Sequence, residues 1–178
     1  MAEVLYYVTS FILQVVAFLF VVRFLLQACR ADFYNPISQG IVKATDVVLK
    51  PVRMVLPGYR NLDFAALLAA LIVEVVMIVA LGAISGRATG TALQILSSGV
   101  LQMVLLGLFI IKWSILIVII ASFLAPGNYH PALALLQQLT EPVLAPARKL
   151  LPPMGGLDFS PILVFLILGV IERILLQI

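Results

Sequence analysis

Apolar residues run along this chain in four long blocks: Val4 to Ala28, about Leu62 to Ile84, about Gly99 to Leu124, and Phe159 to Ile178. Each reaches the roughly 20 residues that cross a ~30 Å hydrocarbon core as a helix. Between the first two blocks the pattern changes. Ile37, Ile41, Val42, Thr45, Val48, Leu49 and Val52 recur at helical spacing, and Ser38, Gln39, Lys43, Asp46, Lys50 and Arg53 take much of the other side. This predicts an amphipathic helix over about 36–50, too polar to span and suited to a membrane surface. Asn35-Pro36 opens it, with Asn as cap and Pro at the first helical position. Pro51 is expected to end or kink it. Between the last two blocks Leu133, Leu136, Leu139, Val143 and Leu144 predict a second such helix over about 131–145, shortened by Pro142 and Pro146. Pro57-Gly58, Ser85 to Gly90, and Pro152-Pro153 with Gly155-Gly156 read as turns.

The two amphipathic segments are copies. Tyr34 to Phe64 returns, ungapped, as Tyr129 to Phe159, 95 residues on, as from Pro36 to Pro131, Arg53 to Arg148 and Asp63 to Asp158. About twelve of roughly thirty-one aligned positions are identical, and they include Pro, Arg, Thr and Asp as well as Leu. The expected fold is an all-α membrane protein: four transmembrane helices as two parallel tandem repeats, each with an amphipathic surface helix between its spans. Residues 1–84 form the first repeat, 85–91 a linker and 92–178 the second. Two spans per repeat return the chain to its starting side, so the repeats point the same way. Inverted-repeat transporters have the other symmetry.

Composition supports this class. The chain is 63% hydrophobic and 11% charged, with mean hydropathy +1.20, where a soluble domain carries about 25% charged residues. Its basic residues lie unevenly. Arg30, Lys43, Lys50, Arg53, Arg60, Arg148 and Lys149 fall in the motif loops, and Arg87 lies opposite. The positive-inside rule then places both motif loops in the cytoplasm and both termini outside. Glu3 and the absence of early basic residues read the first block as a retained span rather than a secretory signal. Arg23, near the end of that span, is placed to reach the headgroups. Lone Cys29 excludes an internal disulfide, and lone His130 excludes a multi-His metal site.

Three charges lie deep in the apolar blocks. Glu74, Lys112 and Glu172 are each about twelve residues, or ~18–20 Å, from the motif end of their spans. A lone charge there costs on the order of 2.5–3.5 kcal/mol. Lys112 is therefore expected to pair with Glu74, Glu172 or both. The pairing serves helix register, a proton or ion path, or an interface between protomers; alternatively Glu74 is protonated in lipid. In repeat coordinates Glu172 corresponds to Met77 and Lys112 to Ala17, so this cluster is not duplicated.

The duplicated acid and base are Asp46 with Arg53 and Glu141 with Arg148, seven residues apart around Pro51 and Pro146. Lipid headgroups account for basic residues on a surface helix. They do not account for a register kept with the acids, which points to a specific internal contact. Asp63 precedes the second span of the first repeat as a cap, Asp158 holds the matching place in the second repeat, and Ser160-Pro161 opens the last span. His130 occupies Asn35's place and reads as a cap rather than a haem ligand, so no cofactor is expected. No Gly-rich phosphate loop, nucleophile elbow or His-Glu metal helix is present, and no enzymatic activity is expected. The basic loops lack the interleaved aromatics of a nucleic-acid binder.

Thr140-Glu141-Pro142-x-Leu144-x-Pro146-x-Arg148, then Pro152 and Gly155-Gly156-x-Asp158-x-Ser160-Pro161, resembles the signature of the YggT/YlmG family of small bacterial and plastid membrane proteins. The resemblance covers nearly the whole chain in two copies. The first copy departs from it, with Val47 for Pro142 and Ala65-Ala66 for Ser160-Pro161. The resemblance implies a bacterial inner-membrane protein tied to tolerance of osmotic or envelope stress, with relatives linked to cell division, cytochrome maturation and nucleoid organisation. The expected role is a non-enzymatic one in assembly or lipid contact, with the bilayer and a homo-oligomer or other membrane protein as partners. The alternatives are an ion or solute channel using Glu74, Lys112 and Glu172, and an assembly factor for cytochrome maturation or cell division.

Overall fold

The computed structural model describes residues 1–124, 130–151 and 158–177. The turn expected at Pro152-Pro153 and Gly155-Gly156 lies outside these residues. Among the described residues the fold has six helices: α1 (Ala2–Ala28), α2 (Pro36–Val55), α3 (Phe64–Ser85), α4 (Ala92–Leu124), α5 (Pro131–Leu150) and α6 (Ser160–Leu175). Among the described residues there are no strands. A single backbone bridge between Tyr59 and Leu62 closes the turn after α2.

Among the described residues three helices, α1, α3 and α4, are long and apolar enough to cross a membrane. The last helix differs from the expected span over 159–178. It has 16 residues, about 24 Å at 1.5 Å per residue, less than a typical hydrocarbon core. The third span extends the other way. α4 begins at Ala92 rather than near Gly99, because Thr91 starts it: the Thr91 hydroxyl accepts from the Gln94 N–H, and Gln94 Oε1 accepts from the Thr91 N–H, a reciprocal cap. Gly86, at φ 65°, closes α3 in the left-handed region that glycine adopts freely.

Both amphipathic helices outlast their prolines. α2 runs to Val55 past Pro51, and α5 to Leu150 past Pro142 and Pro146. An interior proline removes a backbone donor and costs about 3 kcal/mol, so other contacts must hold these ends. Leu49 and Thr45 of α2, and Leu144 and Thr140 of α5, are buried just before Pro51 and Pro146. Both threonine hydroxyls donate back within their helices, Thr45 to Ile41 O and Thr140 to Leu136 O. The expected starts hold in both copies: Asn35 Oδ1 accepts from Ile37 N at 2.9 Å, and His130 Nδ1 from Ala132 N at 3.2 Å.

The core has two parts that meet on α4. In one, Ala17, Phe20, Val21 and Leu26 of α1 pack on Ala65, Ala66, Ala69 and Ala70 of α3, with Leu106 and Ile110 of α4 alongside. Small residues let helix backbones approach closely where lipid offers no hydrophobic driving force. In the other, Ile115 of α4 meets Leu144 and Ala147 of α5 and Val164 and Leu168 of α6. Large apolar side chains such as Phe11, Ile72, Val104 and Ile117 face outward, the outward face a lipid solvent requires. The amphipathic helices also touch. Asn35 Nδ2 donates to Pro131 O at 2.7 Å, and Asp32 N to Gln138 Oε1 at 2.7 Å.

Ala70→Leu forces a larger side chain into the α1–α3 seam and should cost about 1–3 kcal/mol. Leu68→Ala on the outward face should stay within about 0.5 kcal/mol. Thermal unfolding of the two variants in one detergent checks the order.

Candidate functional site

The duplicated acid and base positions come together as a clamp in each repeat. In the first, Arg53 Nη1 donates to Asp46 Oδ1 at 3.2 Å and Nη2 to Asp63 Oδ2 at 2.6 Å. One guanidinium thus joins two turns of α2 across Pro51 and ties α2 to the start of α3. Asp63 also caps α3 by accepting from Ala66 N at 3.3 Å. In the second, Arg148 Nη1 donates to both oxygens of Glu141, at 2.9 and 2.8 Å, and Nε to Asp158 Oδ2 at 3.0 Å. Asp158 accepts from Ser160 N at 2.9 Å as α6 begins. The internal contact expected from the shared register is present in both copies, and Asp63 and Asp158 belong to it.

The copies differ in burial. The Asp63 side chain is 1% exposed and that of Asp158 is 40% exposed. Beside the buried Asp63 lies Arg23, which is itself buried rather than directed to the headgroups. Its Nη2 lies 4.0 Å from Asp63 Oδ2, Nη1 donates to Gln27 Oε1 at 3.3 Å, and the guanidinium sits 4.9 Å from the Phe33 ring centre. A carboxylate this buried attracts every cation within reach. Arg23 corresponds to Val118 in the second repeat, so α4 offers no such cover. Nothing in the amphipathic pattern separated Arg23 from a snorkelling residue; its seat one turn before Gln27 was the available signal.

The clamps set the charge states of their members. The hydrogen bond to Asp63, then the charges of Asp63 and Asp46, hold Arg53 above its ordinary value despite partial burial. Glu141 and then Asp158 do the same for Arg148. For Asp158, burial pulls upward, but the bonds it accepts at Ser160 and from Arg148 prevail, and its carboxyl lies below the usual value. Asp158 therefore contributes stability above its unfolded-state value, and loses it as pH falls through the folded one. Burial pushes the Cys29 thiol up, and its Sγ donates to Leu139 O at 3.5 Å, another tie between the repeats.

The three charges of the apolar blocks separate into a pair and a lone acid. Lys112 Nζ bonds to Glu172 Oε2 and lies 5.2 Å from the Phe165 ring centre. Glu74 is not part of this pair. It is 1% exposed, and its Oε2 is buried without a hydrogen-bond partner. Glu74 and Glu172 nevertheless line the same cavity of about 610 Å³, with Gln14 and Gln102. Gln102, a lone amide in an apolar run, was the unused sequence signal here. Among the described residues no three His, Cys, Asp or Glu side chains gather as metal ligands.

Removing the guanidinium should separate the copies. Arg53→Ala strands a buried carboxylate and should cost about 3 kcal/mol, while Arg148→Ala breaks an exposed clamp and should cost about 1 kcal/mol or less. Chemical denaturation of the two variants in detergent measures the difference, and equal costs would contradict it.

Residues 2–84 and 97–178 each match the CCB3/YggT family, and each segment holds one clamp. A Pseudomonas aeruginosa protein is 40% identical over 156 residues, covering 87% of this chain and 79% of its own. A Vibrio alginolyticus protein is 39% identical over 147 residues, covering 82% and 79%. YggT of Escherichia coli K12 is 36% identical over 168 residues, covering 93% and 86%. No solved structure matches. With both halves matched, and with relatives aligned along most of their length, the chain belongs to the CCB3/YggT family.

Proposed function

We propose that this protein is a non-enzymatic inner-membrane assembly and lipid-contact protein that supports osmotic and envelope homeostasis. In this reading the chain crosses the bilayer four times in two parallel repeats, with α2 and α5 as collars on the cytoplasmic leaflet. α6 serves as the fourth span, its shortness offset by local thinning or by tilt of its neighbours. The observation that carries the reading is the duplicated clamp. Each guanidinium fixes an amphipathic helix to the first turn of the helix that follows it. The Asn35–Pro131 bond supports collars at one end of the bundle. Lys43, Lys50 and Lys149 are exposed on them, placed for anionic headgroups at about 1 kcal/mol each.

A second reading, a path for a solute, is favoured by the cavity at Glu74. It shares the four-span arrangement and differs in where the working residues lie.

Two experiments test the first reading. Reporter fusions at Ile178 should be active outside the cytoplasm, and cytoplasmic activity would reverse the topology. In a bacterial host deleted for its own family member, the wild-type chain should restore growth at high osmolarity. The triple variant Lys43→Gln, Lys50→Gln, Lys149→Gln should reach the same membrane level and lose most of that recovery. Full recovery by the variant would remove lipid contact by the collars from the mechanism.

A further inference from the structure

The cavity between α1, α3, α4 and α6 combines features that neither packing nor the clamps account for. Its volume is about 610 Å³, within the roughly 300–1,000 Å³ of small-molecule sites. Phe11, Phe18 and Phe109 supply aromatic wall, and all three are otherwise exposed. Two carboxylates reach it, but their situations differ. Glu172 is neutralised by Lys112. Glu74 forms no ion pair among the described residues, and its Oε2 is buried with no hydrogen-bond partner. The cavity therefore presents one uncompensated acidic group beneath an apolar aromatic lining.

That combination selects among occupants. A bare metal ion needs a shell of about six oxygens, and the lining offers two carboxylates and the amides of Gln14 and Gln102 among carbon walls. A lipid tail suits the walls but leaves Glu74 without a partner, which is costly at that depth. An apolar cation satisfies both, with its charge against Glu74 and its substituents on the rings, where a cation over an aromatic face gains further.

We propose that this cavity binds one lipophilic monovalent organic cation, of quaternary ammonium or phosphonium type, with Glu74 as its counter-ion. The site goes beyond the collar reading and is independent of it, since it needs neither the lysines nor a stress phenotype.

The test uses the full chain in phosphatidylcholine nanodiscs, titrated with tetraphenylphosphonium. One saturable site per chain is expected. Glu74→Gln should weaken it at least tenfold, and Glu3→Gln, a carboxylate outside the cavity, should leave it unchanged. Phe11→Ala, on an exposed wall position, should weaken it severalfold. A second measurement needs no variant. A hydrophobic carbodiimide should label Glu74, located by mass spectrometry, and tetraphenylphosphonium should protect it. Binding that does not saturate, or that is equal in wild type and Glu74→Gln, would mean partition into lipid only and overturn the proposal. So would labelling of Glu74 that the cation does not reduce. Full growth recovery by the triple lysine variant, with cation binding intact, would count against the collar reading alone.

Discussion

A guanidinium held between two carboxylates, one on each side of a proline, is the contact on which both halves of this protein depend. Proline takes a donor out of the helix, and beyond it the last turn of an amphipathic helix needs another hold. Arg53 and Arg148 supply that hold from the side chains. Each lies beyond its proline, reaches back two turns to an acid, and reaches forward to the acid at the start of the next helix. The same charge thus preserves the end of one element and orients the start of another. Charge-assisted bonds suit this task because they are stronger than neutral ones and fix direction as well as distance.

The two copies differ for a physical reason. The first clamp sits under α1, whose close seam with α3 removes Asp63 from solvent. A second cation is then needed, and Arg23 supplies it from within the first apolar block. The second clamp has no equivalent cover and remains half open. The alanines in place of Ser160-Pro161 belong to the same difference. Ala65 and Ala66 are fully buried against α1, where a proline ring would hold the helices apart.

Much of this was legible in the residues. The copy register, the caps at Asn35, His130 and Asp63, and the pairing of acid with Arg follow from spacing, because each depends on residues a few positions apart. What failed depended on surroundings. Pro51 read as an end or kink, and Pro146 as shortening its helix, because local propensity sees the lost donor and not the clamp that compensates it. Arg23 read as a snorkelling residue because hydropathy records depth and not which face of α1 meets Asp63. Lys112 was expected with either acid. The choice of Glu172 over Glu74 is set by how α4 packs on α6, across a separation of 60 residues, and no local pattern carries that.

Glu74 poses the remaining problem of balance. Glu172 and Lys112 stand as a pair, because each lowers the other's desolvation cost. Glu74 stands alone, in the copy whose matching position to Lys112 is Ala17, a residue sealed in the α1–α3 seam. Packing alone would favour an apolar side chain at this depth. The corresponding position in the second repeat is Gly169, which carries no charge and has open space where a side chain would start. The repeat architecture therefore does not require an acid there. An acid kept at such a depth needs a proton, a partner or a ligand. The neighbouring lysine is already engaged with Glu172, so the balance is left to a proton or to a group from outside the described residues. A cavity that opens beside this one residue, and that is walled by rings rather than by a second base, gives that requirement a definite shape.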